Sequence, residues 1–324
     1  MTRYLARRLA FAVVLVATVS SVSFVLARLA PGDFVAGTLG GQVSSEVIAR
    51  ERARLGLDKP LAVQYRDWAA AALRLDFGRS MLYDRPVGDL IPERAGNTAI
   101  LAFAALAFAT VVGVPLGIVT GTRPGGVLAA IIRTASVVLL SMPPLLTSLT
   151  LVFIAARTGW LPIAGMRSST GAGNAVLDLV RHLIVPALAI GLPLAATLER
   201  LQAQAMSETI GQPFVVAASA RGVPRSRVVW RGALKAALRP VAAMYGLMIG
   251  TLLSGSFAVE VITAWPGLGS LMLQALRSRD IYLVAGCAGA GALFLALGTM
   301  ASDVGLAIID PRASDRGSAA EAAA

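Results

Sequence analysis

The sequence predicts an all-α integral membrane protein with six transmembrane helices, a small helical insertion after the first, and a basic loop between the fourth and fifth. Three observations carry that expectation. The 324-residue chain is 56% hydrophobic and only 15% charged, with a mean hydropathy of +0.72, far more apolar sequence than one soluble core needs. Its apolar residues fall in runs of about twenty, the length of helix that crosses a hydrocarbon core. The cations gather in loops and flanks, so the net charge of +11 reads as the positive-inside bias of a chain in a lipid bilayer, not as a nucleic-acid surface.

Composition also excludes chemistry. One cysteine, Cys287, permits no internal disulfide, and one histidine, His182, leaves no cluster for zinc, haem or a Ser/His/Asp triad. Ionisable residues in or near the spans are scattered singly, so a membrane-embedded enzyme lacks its residues. Lys59 is followed by Pro60 and Lys235 by Ala236, so neither lysine belongs to a G-x-x-x-x-G-K-[ST] nucleotide loop. If ATP drives this chain, another chain binds it.

The first span follows Arg3, Arg7 and Arg8, with residues 9–27 free of charge. A cleaved signal peptide would share that basic start, but its apolar region stops at about 15 residues. The N-terminus is therefore expected in the cytoplasm. Residues 31–97 form the one long polar segment, and its nine basic and nine acidic residues cancel, so charge does not dictate its side of the membrane. Ser45 with Glu46 can cap a helix ending near Gly56. A second helix opening near Pro60 carries a stripe of Leu61, Tyr65, Trp68, Ala72 and Leu75. A self-packed lid, the outer leaflet and a partner protein each offer cover for such faces, and the residues leave that choice open.

The second span is expected over 98–120 and the third over 133–154, separated by a short basic loop with Arg123. Within the third lies SMPP at 141–144, where two prolines kink the helix, either at a bend in a pathway or for packing. GWLP at 159–162 and the Gly- and Ser-rich run to Gly173 read as an outer loop, with Trp160 suited to the interface. The fourth span begins at 183–197. His182 at its start reads as a hydrogen-bonded interfacial residue, and Glu199, Arg200 and Glu208 mark the helix leaving the membrane.

The basic loop then follows. Pro213 suits the first turn of a helix and Gly222 the left-handed residue that ends one. Pro224 can start a second helix, on which Arg227, Arg231, Lys235 and Arg239 recur at i+4 beside Val228, Val229, Ala233, Ala236 and Ala237. Such a stripe suits a membrane surface whose phosphates the cations reach, with a nucleic-acid patch as the weaker reading. Between 206 and 239 there are six basic residues and one acid, which places this loop in the cytoplasm. The fifth span covers 241–261, where Met244, Met248, Thr251 and Ser254 either line a pathway or pack helix on helix. The sixth continues over 284–300.

A short helix, a glycine, a basic linker and then Pro240, eighteen residues after Gly222, together resemble the coupling motif of binding-protein-dependent ABC importer permeases. The spacing is that of the dipeptide, oligopeptide and nickel branch. The matching run is Val216, Ala217, Ala218, Ser219, Ala220, Arg221 and Gly222; Val216 stands where the general motif has its acid, so no contact of that acid carries over. RLAPGD at 28–33, FGRS at 77–80, RPV at 85–87, GWLP, RHLIVPALAIGLP at 181–193, VEVITAWPGLG at 259–269, SRDIYL at 278–283, Asp303 and DPR at 310–312 extend the resemblance over residues 4–312.

The resemblance implies a type I ABC importer permease fold. It divides the chain into 1–30 with the first span, an extracytoplasmic insertion at 31–97, a five-helix core at 98–312 with the coupling loop at 206–239, and a disordered cytoplasmic tail at 313–324. It assigns ATPase coupling to Phe214, Ala217, Ala218, Arg221, Gly222, Val223 and Arg225. An outer gate or re-entrant element falls to Glu260, Trp265, Pro266, Gly267 and Gly269, with no need for Glu260 to be deeply buried. The implied partners are a second homologous permease, two ATPase subunits that hold ATP and magnesium, and an extracytoplasmic substrate-binding protein, in the bacterial inner membrane with both termini cytoplasmic. Both short peptides and nickel are allowed as cargo. One histidine and one cysteine offer a metal little, which favours peptides, although a metal chelate needs few protein ligands. A stand-alone channel would not need the short capped helix at 213–222.

Overall fold

The computed structural model describes residues 2–39, 44–168 and 174–309, without the side chains of 2–5, 38, 39, 251, 253–255 and 302–309. Asp303's side chain, DPR at 310–312, the 313–324 tail and the loop residues 169–173 therefore lie outside the described residues. Two compact units emerge. One comprises residues 1–99 and 264–296, the other 100–263 and 297–324. Four helices among the described residues are long and apolar enough to cross a membrane, or five if one sharply bent pair is a single span.

In the first unit, α1 (Thr2–Leu29) supplies the first span. The polar segment folds as α2 (Phe34–Leu39), α3 (Ser45–Arg54) and α4 (Leu61–Ala72). Ser44, one residue before the expected cap, is the N-cap of α3, and Gly56 at φ +68 ends it. The stripe on α4 is covered by α1: Trp68 stacks on Phe24 at 4.8 Å, and Tyr65 Oη donates to Ser21 Oγ at 2.9 Å. The stripe is shorter than expected. α4 ends at Ala72, and Leu75 is 78% exposed. Phe24, Val35, Leu57, Trp68, Ile281 and Ala285 form this core.

Polar contacts fix the segment's start. Arg28 donates to Leu57 O at 2.9 Å and to Gln64 Oε1 at 3.2 Å. Asp33 accepts from Ala36 N at 2.8 Å and from Arg52 Nε at 2.6 Å. Burial pushes the Asp33 carboxyl up, but the Ala36 N–H, Arg52 and the charge of Arg28 together hold it below its ordinary value.

A second core of this unit joins the start of α5 (Val87–Thr122), α13 (Leu268–Ser278) and the start of α14 (Ile281–Ile309) through Val87, Leu90, Leu268, Leu271, Ala275, Leu283, Val284 and Cys287. Asp280 at the α13–α14 turn is fully buried. Its carboxylate accepts from Ser80 Oγ at 2.6 Å, Leu82 N at 3.1 Å and Leu283 N at 3.1 Å, pinning the FGRS turn to the helix junction.

In the second unit the SMPP motif does more than kink a span. α6 (Val127–Ser141) and α7 (Pro144–Thr158) meet at 105°. Each proline drives the residue before it out of the α region, and here two succeed one another. Met142 and Pro143 are both extended, at ψ 118 and 142, so the helix stops and restarts.

α8 (Ala175–Ile210) opens on Asn174, whose side chain accepts from Val176 N. It packs on α5 along a seam of Gly113, Gly117 and Gly121. A Cβ at these positions would lie 2.4, 2.5 and 2.5 Å from the carbonyl oxygens of Ala195, Glu199 and Ala203. Small residues at i+4 let two backbones meet in this way. The chain continues through α9 (Pro213–Ala220), α10 (Arg225–Arg227), a π-helical turn Val228–Ala233 and α11 (Leu234–Gly255). α11 stops short of the expected span end at 261, and α12 (Phe257–Ile262) follows as a separate short helix.

Candidate functional site

The short helix α9 has Pro213 at its first turn, as its sequence predicts. Its other end is a Schellman motif: Gly222 sits at φ +78, its N–H reaches Ser219 O at 3.0 Å, and Val223 N reaches Ala218 O at 3.3 Å. Ala218 and Val223 complete the motif by packing on a core of Ala205, Met206, Val215, Val228, Ala233 and Ala237. One face of α9 is thus held by α8 and the π turn. The other faces outward, with Phe214 47% and Val216 56% exposed and with Ala217 and Arg221 exposed beside them. Arg225, on α10, is exposed as well. Its Nη2 donates to Thr122 O at 3.2 Å, capping the C-terminal end of α5, where a cation is favoured.

The Trp-Pro-Gly turn is built in the first unit. Trp265 is fully buried and donates from Nε1 to Asn97 O at 3.0 Å, while Asn97 Nδ2 donates to Pro266 O at 2.8 Å. Leu268 N donates to Thr98 Oγ1 at 2.8 Å. Gly267 is the N-cap of α13, and Gly269 lies in its first turn. Glu260 belongs to the second unit and is completely buried, deeper than its sequence required. Ser256 Oγ donates to its Oε1 at 2.7 Å.

On α11, Met248 is 5% exposed and packs with Ala109, Ala195, Leu198 and Val241, with Met244 half-buried against the same core. Both methionines pack in the contact between helices of this chain. The side chains of Thr251 and Ser254 lie outside the described residues. His182 is buried, with Nδ1 2.9 Å from Asp178 O, a local bond of the kind its position suggested.

Sequence comparison gives this architecture a family. Residues 113–315 match the family described as "Binding-protein-dependent transport system inner membrane component". Residues 1–101 match the N-terminal region of the same kind of component. The chain belongs to this family. Among similar proteins, a putative peptide permease protein of Brucella suis is 32% identical over 316 residues, covering 96% of this chain and 99% of that protein. The oligopeptide transport system permease protein AppB of Bacillus subtilis is 30% identical over 314 residues, with the same coverages. The corresponding permease protein OppB of Mycobacterium bovis is 31% identical over 322 residues. In fold, a chain from inward-facing structures of the MetNI methionine ABC transporter aligns with TM-score 0.51 and 18% identity, covering 68% of this chain and 96% of that one. The fold is thus that of a type I ABC importer permease, an inner-membrane transport component.

The permease also contains a polar group whose burial its sequence did not reveal. Glu199 does not merely mark the end of a span: it is 1% exposed, and Thr120 Oγ1 on α5 donates to its Oε1 at 2.6 Å. Gln202, one turn later, is fully buried against the same glycine seam. The spacing of Gly113, Gly117 and Gly121 was the available signal, since residues that face close-packed glycines have nowhere else to go.

Proposed function

We propose that this permease is one of two membrane subunits of an ATP-driven importer of short peptides, working by alternating access. Supporting the cargo are the relatives named as peptide and oligopeptide permeases over nearly their full lengths. Against nickel stands the burial of the one histidine and the one cysteine, His182 and Cys287, at 8% and 3% exposure. Two ATPase subunits would hold ATP and magnesium, and an extracytoplasmic binding protein would deliver the peptide. Residues 31–97 face outward on this reading, and both termini and 206–239 face the cytoplasm.

The observation that carries the reading is α9. A helix anchored on one side by Val215 and Ala218, presenting Phe214 and Val216 on the other, is a rigid apolar knob suited to a groove on an ATPase. In a strain lacking the gene, labelled short peptides are expected to stay outside until the gene is restored, and ATPase subunits to co-elute with the permease in mild detergent. Loss of nickel uptake alone would refute the peptide assignment. A permease that moves substrate without any ATPase would make it a channel.

Orientation has its own check. With Cys287→Ala as background, a membrane-impermeant thiol reagent outside the cell should label a cysteine at Ser44 and not one at Ser226. The reverse pattern would invert the proposed topology.

Gly222 has no heavy atom of this chain within 4 Å of a would-be Cβ, so within the permease a substitution meets only the cost of the positive φ. A β-branched side chain there costs on the order of 1–2 kcal/mol, too little to unfold the packed spans but enough to release the end of α9. Gly222→Val should assemble with its partners yet lose most ATP-driven uptake. Gly222→Asn, which tolerates the left-handed region, should keep much of it. Equal uptake in the two variants would remove the helix-ending role.

A further inference from the structure

The π turn at Val228–Ala233 has an effect on the cations that flank it. In an unbroken α-helix, residues repeating at i+4 drift by about 40° each, so Arg239 would stand about 120° round the axis from Arg227. A π turn holds one extra residue and takes about 100° off that drift, leaving roughly 20°. The buried side follows the same count: Val228, Ala233 and Ala237 are all buried, five residues apart across the π turn and then four. Arg227, Arg231, Lys235 and Arg239 consequently stand in one row on the opposite side.

All four are exposed, and none has a hydrogen-bond or ion-pair partner among the described residues. Glu208, the one acid between 206 and 239, is engaged by Gln204 Nε2 at 3.0 Å on α8. Trp230, 59% exposed, stands beside the row. The row ends at Pro240, after which α11 carries no charge over 241–249. An aligned cation row with a flanking tryptophan, at the mouth of an apolar helix, matches the depth of lipid phosphates.

We propose that Arg227, Arg231, Lys235 and Arg239, aligned by the π turn, bind the phosphate headgroups of anionic phospholipids where α11 meets the membrane. The row is separate from the outward face of α9, so lipid and ATPase contacts do not compete for residues. The inference needs the chain to be membrane-embedded but does not depend on its cargo.

The purified permease is placed in mixed micelles containing phosphatidylglycerol and phosphatidylcholine, and bound lipids are counted by native mass spectrometry. A cation at a membrane surface contributes roughly fivefold in affinity for anionic lipid. The quadruple variant R227Q/R231Q/K235Q/R239Q should lose at least about tenfold in its preference for phosphatidylglycerol, whereas R227K/R231K/R239K should keep it. The variant R231Q/G232R conserves net charge but moves one cation off the row. Gly232 has open space around a Cβ, so a side chain can leave the backbone there without a clash, and the preference should fall several-fold. Unchanged preference in the quadruple variant would overturn the site, including the case in which that variant loses co-eluting ATPase subunits instead. R231Q/G232R behaving as the unaltered chain would overturn the alignment, and displacement of lipid by millimolar inorganic phosphate would overturn the headgroup as ligand.

Discussion

Gly117→Val is expected to prevent the permease from folding stably in the membrane. A Cβ there would meet Glu199 O at 2.5 Å and Gln202 Cβ at 2.6 Å, and neither backbone nor Cβ atoms can swing aside as a flexible side chain can. The helices α5 and α8 would have to separate, loosening the contacts at Gly113 and Gly121 along with the Thr120–Glu199 hydrogen bond. Overpacking by a single group typically costs about 1–3 kcal/mol; valine adds three carbons against backbone and should exceed that range. Gly117→Ala should show the lesser defect. Gly96, in the interior of the same helix, has nothing within 4 Å of a would-be Cβ, so Gly96→Ala should be neutral or stabilising by about 0.5–1 kcal/mol through helix propensity. Thermal unfolding in detergent, followed by size-exclusion chromatography, reads all three. Melting of Gly117→Val at the temperature of the unaltered chain would mean that the helices do not approach this closely.

Asp280→Ala is expected to disconnect the 77–87 turn from α13 and α14. It removes a carboxylate that satisfies one buried hydroxyl and two backbone N–H groups, from Ser80, Leu82 and Leu283. Each buried donor left without a partner costs about 1–3 kcal/mol, so a total on the order of 3–5 kcal/mol follows after partial relaxation. Asp280→Asn keeps one acceptor and should lose less, and Ser80→Ala, which removes a single donor, should lose least. That order is checked by denaturant or thermal unfolding of the three variants. Limited proteolysis should cut first within 77–87 in Asp280→Ala. An alanine variant as stable as the asparagine variant would show that the carboxylate does not hold the turn.

Much of this architecture was legible because it rests on local rules. Pro213 and Gly222 bracket α9 as their backbone preferences demand. Exposure of the four cations followed from their charge. What was not legible depends on neighbours distant in sequence. Burial of Glu199 and Gln202 follows from glycines some eighty residues earlier, which the chain brings beside them. The stripe on α4 gave amphipathicity but not its partner, since Phe24 on α1 could be known to cover Trp68 only from the fold. Two prolines in SMPP announced a disturbance; its size came from their adjacency, which forces two successive extended residues and turns a kink into a 105° corner. The π turn left no mark in composition at all, and showed itself only in the five-residue gap between Val228 and Ala233.

The length of α8 has a mechanical consequence. At 36 residues and about 1.5 Å per residue it is about 54 Å long, against a hydrocarbon core of about 30 Å, so a good part of it extends beyond the lipid or is taken up by tilt. Its far end passes directly into α9 through Gly211 and Gln212. Each end lies about 27 Å from the midpoint, and a pivot of about 10° there would carry α9 sideways by roughly 5 Å, close to the pitch of one helical turn. A small rocking at its waist, where Pro193 lies inside the helix, would thus become a stroke the size of a helical turn at its tip.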